Sequence, residues 1–156
     1  MIRTILFIAC IIYAAISFGD REKLPLPRFA SIKSGEVNAR AGPSIKAKVE
    51  WVFVKKGEPV EITAEYEQWR QIRDVKGEGG WVHSSVLSEK RFVVINSESK
   101  VEMLKSPDKN ALIIAKLSPF LRCNFSKCKD DWCNISCKSV EGWVARKYLW
   151  GVYKEG

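Results

Sequence analysis

The sequence predicts an all-β protein built from two similar small units in tandem. Short β-rich runs are broken by Gly, Pro and charged clusters, and no stretch sustains a helical period over three turns. The same landmarks recur in the second half of the chain at a nearly constant offset. Of the 156 residues, 46% are apolar and 28% are charged, so the chain has enough apolar material for a folded core.

The first 19 residues have the layout of a secretory signal peptide. Arg3 precedes an apolar run over Ile5–Phe18, and small residues stand at Ser17 and Gly19. The run is shorter than the about 20 residues that span a bilayer. We therefore expect export to the periplasm or the extracellular space. Cleavage is expected after Gly19 or Ser17, and retention as an uncleaved anchor is the alternative.

Composition divides the exported chain into two units with a lead-in and a linker. The lead-in is polar and extended, because Pro25 and Pro27 oppose a helix. Each unit is so short that its hydrophobic core is small, so we expect the units to pack together or to need additional stabilisation such as disulfides. The predicted boundaries are a signal peptide at 1–19, the lead-in at 20–36, the first unit at 37–87, the linker at 88–100, the second unit at 101–150 and a tail at 151–156.

Turn signals separate the β-rich runs of the first unit. They lie at Lys56-Gly57 and over Gly77–Gly80. Several short strands at this spacing are typical of a small barrel or sandwich. The runs are Trp51–Val54, Val60–Thr63, Gln68–Ile72 and Gly80–Val82.

The second unit repeats the first at an offset of 62 to 64 residues. Three landmarks that agree this closely make chance similarity a weak explanation. The matched positions are Trp69 and Ile72 with Trp132 and Ile135, Gly80–Val82 with Gly142–Val144, and Pro43 with Pro107.

A family resemblance rests on these landmarks. The segment Val37–Ser44 reads Val-Asn-Ala-Arg-Ala-Gly-Pro-Ser, and Lys56-Gly57 precedes a strand. Together with Trp69 and Gly80-Trp81-Val82, these features resemble a bacterial SH3-like domain.

Two wider stretches, Leu24–Phe29 and Ala64–Arg73, resemble exported bacterial proteins that carry SH3-like domains in tandem. The match is close in the first unit and looser in the second, where Val101–Lys105 replaces the Asn-x-Arg-x-Gly pattern. The resemblance implies two strongly bent SH3-like barrels of five or six strands. It also implies binding of peptides or cell-wall material, often beside a catalytic domain.

Four cysteines fall within fifteen residues of the second unit, and we expect them to form disulfides. An exported chain normally oxidises such a set. The spacing also lacks the tight C-x2-C pair that is typical of zinc sites. No metal or other cofactor is therefore expected.

A charged turn over Lys129–Asp131 predicts how these cysteines pair. It places Cys128 opposite Cys133 across a hairpin, and nesting then pairs Cys123 with Cys137. The two sides of the hairpin differ by one residue in cysteine spacing, so one strand needs a bulge for both bridges to form.

The first unit has a predicted counterpart of the inner bridge. At the 63-residue offset, Glu65 and Arg70 occupy the positions of Cys128 and Cys133. Because their charges are opposite, we expect a cross-strand ion pair where the second unit has a disulfide.

The candidate ligand-binding residues are three aromatic side chains near polar turns and one arginine. An exposed Trp stacks on a peptide or a sugar, although packing within the turn is an equal alternative. The arginine either grips a carboxylate or braces its loop through backbone carbonyls, and bracing is favoured. Trp81 and Trp143 are interpreted as core or barrel-wall residues. The candidates are Arg40, Tyr66, Trp69 and Trp132.

The charge and the histidine count narrow the function. One His argues against histidine-based metal sites and against most acid–base enzymes. His83 precedes Ser84 and Ser85, but neighbouring strand residues point to opposite faces, so we expect no nucleophile–base pair there. The formal charge is +8, or +7 without residues 1–19, and it favours an anionic envelope surface. Export makes nucleic acid a poor partner.

Two functions of different class fit these features. The first is a non-enzymatic exported module that binds cell-wall peptidoglycan or a peptide of the envelope. The second is a protein-interaction or regulatory partner of another exported protein. In either case, peripheral electrostatic contact with membrane lipids is expected at low salt. A cell-wall hydrolase would need a catalytic triad that a single His does not supply.

Overall fold

The computed structural model describes residues 23–153, so the predicted signal peptide lies outside the described residues. This part of the chain consists of fourteen strands and two short 3-10 helices, Ser84–Val86 and Arg146–Tyr148. The predicted all-β class is confirmed. Within residues 23–153, no helix has the length and apolarity needed to cross a bilayer.

The strands form two antiparallel sheets of seven strands each. The first contains β1 (Arg28–Ile32), β2 (Val37–Arg40), β3 (Val49–Phe53), β4 (Pro59–Tyr66), β5 (Trp69–Arg73), β6 (Gly79–His83) and β7 (Leu87–Ser88). The second contains β8 (Phe92–Ile95), β9 (Val101–Leu104), β10 (Ile113–Leu117), β11 (Arg122–Lys129), β12 (Trp132–Cys137), β13 (Val140–Ala145) and β14 (Leu149–Trp150).

Both sheets have the same topology, which confirms the tandem repeat. The strand order is β3-β2-β6-β5-β4-β1-β7 in the first sheet and β10-β9-β13-β12-β11-β8-β14 in the second. The long hairpins β4–β5 and β11–β12 each carry a bulge at the matching place. Their tips turn at Glu67 and Asp130, which have positive φ angles of 48° and 50°. The repeat therefore extends to individual backbone conformations.

Each sheet takes up a strand from a segment that the sequence suggested as lead-in or linker. Strand β1 lies within 20–36 and pairs with β4 and β7, while β8 lies within 88–100 and pairs with β11 and β14. Ile32 and Ile95 are each about 1% exposed or less, and their burial explains why these segments join the sheets. The barrels consequently have seven strands, where the resemblance implied five or six.

The two Gly-Trp-Val strands place their aromatic side chains outside the cores. Val82 and Val144 are fully buried in the two core clusters. Because neighbouring strand residues point to opposite faces, Trp81 and Trp143 lie on the outer faces, where they are half-buried. They belong to the sheet wall, which is one of the two positions that the sequence predicted for them.

The two units pack against each other. Arg122 of the second unit forms an ion pair with Glu58 of the first at 3.0 Å. The Arg91 guanidinium lies 5.6 Å from the ring centre of Phe29 and 5.1 Å from that of Phe125. Burial raises the pKa of Glu58, although the Arg122 charge acts in the opposite direction. The interface therefore combines aromatic packing with partly desolvated charge.

Candidate ligand-binding groove in the second unit

Two nested disulfides hold the β11–β12 hairpin of the second unit. Cys128–Cys133 is the inner bridge and Cys123–Cys137 is the outer one, so the predicted disulfide bonding is confirmed. A register shift between Phe125 and Lys127 supplies the bulge that the cysteine spacing requires. The two strands of the hairpin are therefore linked covalently near the tip and again near the base.

In the first unit, an ion cluster stands where the inner bridge stands in the second. Glu65 and Arg70 are cross-strand partners, and their Oε1 and Nε atoms are 2.8 Å apart. Arg28 of β1 also contacts the Glu65 carboxylate. The same register position thus stabilises both long hairpins, by charge in one unit and by a covalent bond in the other.

The tip of the disulfide-bonded hairpin presents Asp131 and Trp132. The backbone N–H of Arg146 donates to the carbonyl of Asp131 at 2.7 Å, which ties the tip to the 3-10 helix Arg146–Tyr148. In the first unit, Ser84 donates to Gln68 at 2.8 Å in the same way. The tip, the 3-10 helix and the loop after β9 surround one groove.

This groove has a volume of about 1140 Å³ and combines aromatic and charged side chains. Trp132 and Tyr148 supply the aromatic surface, and the Lys147 ammonium lies 4.9 Å from the centre of the Tyr148 ring. The lining includes four cations, Lys100, Lys109, Arg146 and Lys147, and three carboxylates, Glu102, Asp108 and Asp131. Such a surface can pair a ligand carboxylate with lysine or arginine while an apolar ligand group packs on the indole.

The two hairpin tryptophans differ in what lies opposite them. In the first unit, Trp69 is the cross-strand partner of His83, and the two rings meet edge to face at 5.8 Å. In the second unit, the partner of Trp132 is Ala145, which also lines the groove. Both indoles are half-buried, but Trp132 lines the groove whereas Trp69 packs against the His83 ring.

His83 is held in place by a local contact that the strand argument did not predict. Its Nδ1 atom lies 2.7 Å from the Ser85 hydroxyl and accepts the Ser85 backbone N–H at 3.2 Å. The alternation of faces along a strand does not apply to Ser85, because the chain leaves the strand at Ser84 and begins a 3-10 helix, which lets the two side chains meet. The contact caps that helix.

The structure does not bring the four candidate residues together. Trp132 lines the groove, and Trp69 packs on His83 in the other unit. Arg40 donates from Nη1 to the carbonyl of Ala47 at 2.9 Å, so it braces the loop after β2. Tyr66 is 55% exposed at the tip of the β4–β5 hairpin.

Arg146, Lys147 and Tyr148 also line the groove and were not among the candidate residues that the sequence suggested. The sequence does contain a pattern that indicates them, because two basic residues and an aromatic residue follow the strand that carries the repeated Gly-Trp-Val motif. Across residues 23–153, no group of three or more Cys, His, Asp or Glu side chains is arranged to hold a metal ion.

The bacterial SH3 domain family matches the sequence twice, over residues 33–89 and 97–151. The chain belongs to the bacterial SH3 domain family. The resemblance that the motifs indicated is therefore confirmed, and the two seven-stranded units are tandem bacterial SH3 domains.

One relative is YrvJ of Bacillus subtilis (strain 168), a protein named as an N-acetylmuramoyl-L-alanine amidase. It is 27% identical over 153 residues, which cover 91% of this chain and 29% of YrvJ. Among solved structures, NlpC1 and NlpC2 from Trichomonas vaginalis are both 13% identical, with TM-scores of 0.37 and 0.38. The matches cover 79% of this chain and 45% of NlpC1, and 86% of this chain and 51% of NlpC2.

Proposed function

We propose that this tandem of bacterial SH3 domains is a non-enzymatic exported module that binds peptidoglycan, with the groove beside Trp132 as its contact for wall peptides. Bacterial SH3 domains are binding modules, and a relative named as an amidase acts on the cell wall. The observation that carries the proposal is the half-buried Trp132 indole in a groove lined by four cations and three carboxylates.

The chemistry of the groove suits a short peptide that carries free carboxylates. Lys100, Lys109 and Lys147 attract a carboxylate, and Trp132 packs on aliphatic parts of the peptide. The carboxylate of Glu102 provides a site for an amine. A peptide with both charges therefore finds complementary partners in one groove.

An extracytoplasmic location fits the two disulfides. Such bonds persist in oxidising compartments and are rare in reducing ones. The apolar run over Ile5–Phe18 supplies an export signal in this proposal.

Cosedimentation with purified cell-wall sacculi tests the proposal. Trp132→Ala removes the indole, and Ala145→His covers it as His83 covers Trp69 in the first unit. Each change is expected to weaken retention about tenfold or more, because truncating a central aromatic anchor typically costs at least about 1.4 kcal/mol.

Phe120→Gly is the matched control. It removes a 54% exposed aromatic side chain outside the groove, and the positive φ of 58° at this position suits glycine. Retention of the control should equal that of the wild type. Equal retention of all four proteins, or no retention at low salt, would overturn the proposal.

The enzymatic and protein-partner alternatives have their own readouts. Release of fragments from labelled peptidoglycan by the purified chain would contradict the non-enzymatic role. Cross-linking in cells that yields one dominant protein adduct, in place of wall fragments, would favour a partner of another exported protein.

A further inference from the structure

The first domain has a second groove that the candidate site does not include. It lies against strands of the first sheet and has a volume of about 410 Å³. Edge strand β3 borders it on one side, and the turn that leads into β6 borders it on the other. Its lining is Glu50, Trp51, Thr63, Gln71, Ile72, Arg73, Gly77, Glu78, Gly79 and Gly80.

Two glycines keep the floor of this groove free of side chains. A Cβ atom at Gly79 would stand 2.1 Å from the carbonyl oxygen of Ile72. Gly80 has a φ of +143°, and a Cβ there would stand 2.6 Å from the carbonyl oxygen of Arg40. The backbone therefore demands glycine at both positions, and the Trp51 indole, 38% exposed, stands beside a bare surface.

The polar groups beside Trp51 include a neutral pair that can form hydrogen bonds. The Thr63 hydroxyl lies 3.4 Å from both the backbone carbonyl and the side-chain Oε1 of Gln71. Hydroxyl and amide groups act as donors and as acceptors. A flat aromatic face beside such groups matches a sugar ring, which has an apolar C–H face and a rim of hydroxyl and amide groups.

The charge around this groove is unfavourable for the acidic peptides that suit the other one. The Arg73 guanidinium forms an ion pair with Glu61 at 2.9 Å, so its charge is already compensated. The remaining charged lining residues are the carboxylates of Glu50 and Glu78. They accept hydrogen bonds from hydroxyl groups but repel a ligand carboxylate.

The second domain does not repeat this chemistry. By strand register, Ala115 stands where the first domain has Trp51, and Glu141 stands where it has Gly79. The aromatic platform and the glycine at the Gly79 position are therefore not repeated, whereas Gly142 keeps a glycine at the position of Gly80. The feature is specific to one domain, while the framework of the sheets is common to both.

We propose that this groove is a subsite for an uncharged sugar unit, with Trp51 as the stacking platform and the Gln71 and Thr63 side chains as its hydrogen-bonding partners. This proposal rests on the proposed cell-wall function and assigns different parts of the cell wall to the two grooves. The groove of the second domain takes the peptide part of the wall, and the groove of the first domain takes the glycan part.

The probe is a β-1,4-linked N-acetylglucosamine tetramer, which presents neutral glycan chemistry without peptide. Titration into the 15N-labelled chain should shift the backbone amides of Gly79 and Gly80 and the side-chain amide of Gln71. Trp51→Ala should weaken binding about tenfold or more, and Gln71→Ala should weaken it by a smaller factor. Leu112→Ala, which removes a 67% exposed side chain outside both grooves, should bind as the wild type does.

The outcomes separate this proposal from the cell-wall function. No binding of the tetramer at millimolar concentration, or unchanged affinity in Trp51→Ala, overturns the glycan subsite. If Trp132→Ala still weakens retention on sacculi, the cell-wall function stands without it. Binding of a lysine-containing peptide at the same amides, without binding of the tetramer, would identify a cation site and also overturn the proposal.

Discussion

The two nested disulfides should stabilise the second domain unequally, and variants that each keep one bridge measure the difference. Cys128→Ala with Cys133→Ala retains only the outer bridge, and Cys123→Ala with Cys137→Ala retains only the inner one. The bridges span sequence separations of 14 and 5 residues. Chain entropy in the unfolded state favours the bridge that closes the longer loop.

The magnitude follows from loop length and burial. The chain-entropy relation gives about 3 kcal/mol for the outer bridge and about 2.1 kcal/mol for the inner one, a difference of about 0.9 kcal/mol. Burial acts in the same direction, because Cys123 and Cys137 are both in the core whereas Cys128 is half-buried. The outer-bridge protein should therefore be the more stable by at least about 0.9 kcal/mol, or about 4–7 °C in Tm for a small domain.

Thermal and urea unfolding followed by circular dichroism provide the measurement. Mass mapping of each oxidised variant first verifies that the remaining bridge has formed. Removal of both bridges should cost more than either single removal. Equal midpoints for the two single-bridge proteins, or a higher midpoint for the inner-bridge protein, would refute the entropic reasoning.

Two further predictions concern charge. Glu65→Gln should lower the free energy of unfolding by about 1–2 kcal/mol in urea titrations. The change leaves the partly buried guanidinium groups of Arg28 and Arg70 without their carboxylate partner. An unchanged urea midpoint would contradict this. Glu58→Gln should flatten the pH dependence of Tm. The folded state raises the pKa of Glu58 above 4.5, so the wild type binds a proton on folding and gains stability relative to the variant as pH falls from neutral towards 4.5. Parallel Tm–pH curves would show that the pKa is not raised.

Much of the framework was predictable because repetition constrains geometry. The 63-residue offset relates Glu65 and Arg70 to Cys128 and Cys133, and the structure gives both pairs the same cross-strand register. The need for a bulge followed from counting residues between cysteines, since side chains alternate faces with a period of two. The repeat offset and the cysteine spacing can be counted in the sequence, and the two-residue period is a property of every β-strand backbone.

The grooves were less predictable because they depend on what faces a residue across space. Trp69 and Trp132 follow similar turns, yet one is covered by His83 and the other faces Ala145. A sequence shows each tryptophan but not its cross-strand partner until the register is known. Trp51 was not predicted as a ligand-binding residue, because the glycines that line its groove lie about 30 residues further along the chain.

The two domains differ at side-chain positions that the common strand pairing does not constrain. Replacing the Glu65–Arg70 pair by a disulfide keeps the hairpin in place without occupying the groove. The partner of the hairpin tryptophan is His83 in the first domain and Ala145 in the second, and Ala115 stands where the first domain has the Trp51 platform. Duplicates that bound one ligand twice would be expected to keep the same side chains at these positions. Their divergence fits the proposal of two grooves with different chemistry, and the Glu58–Arg122 ion pair joins the domains that carry them.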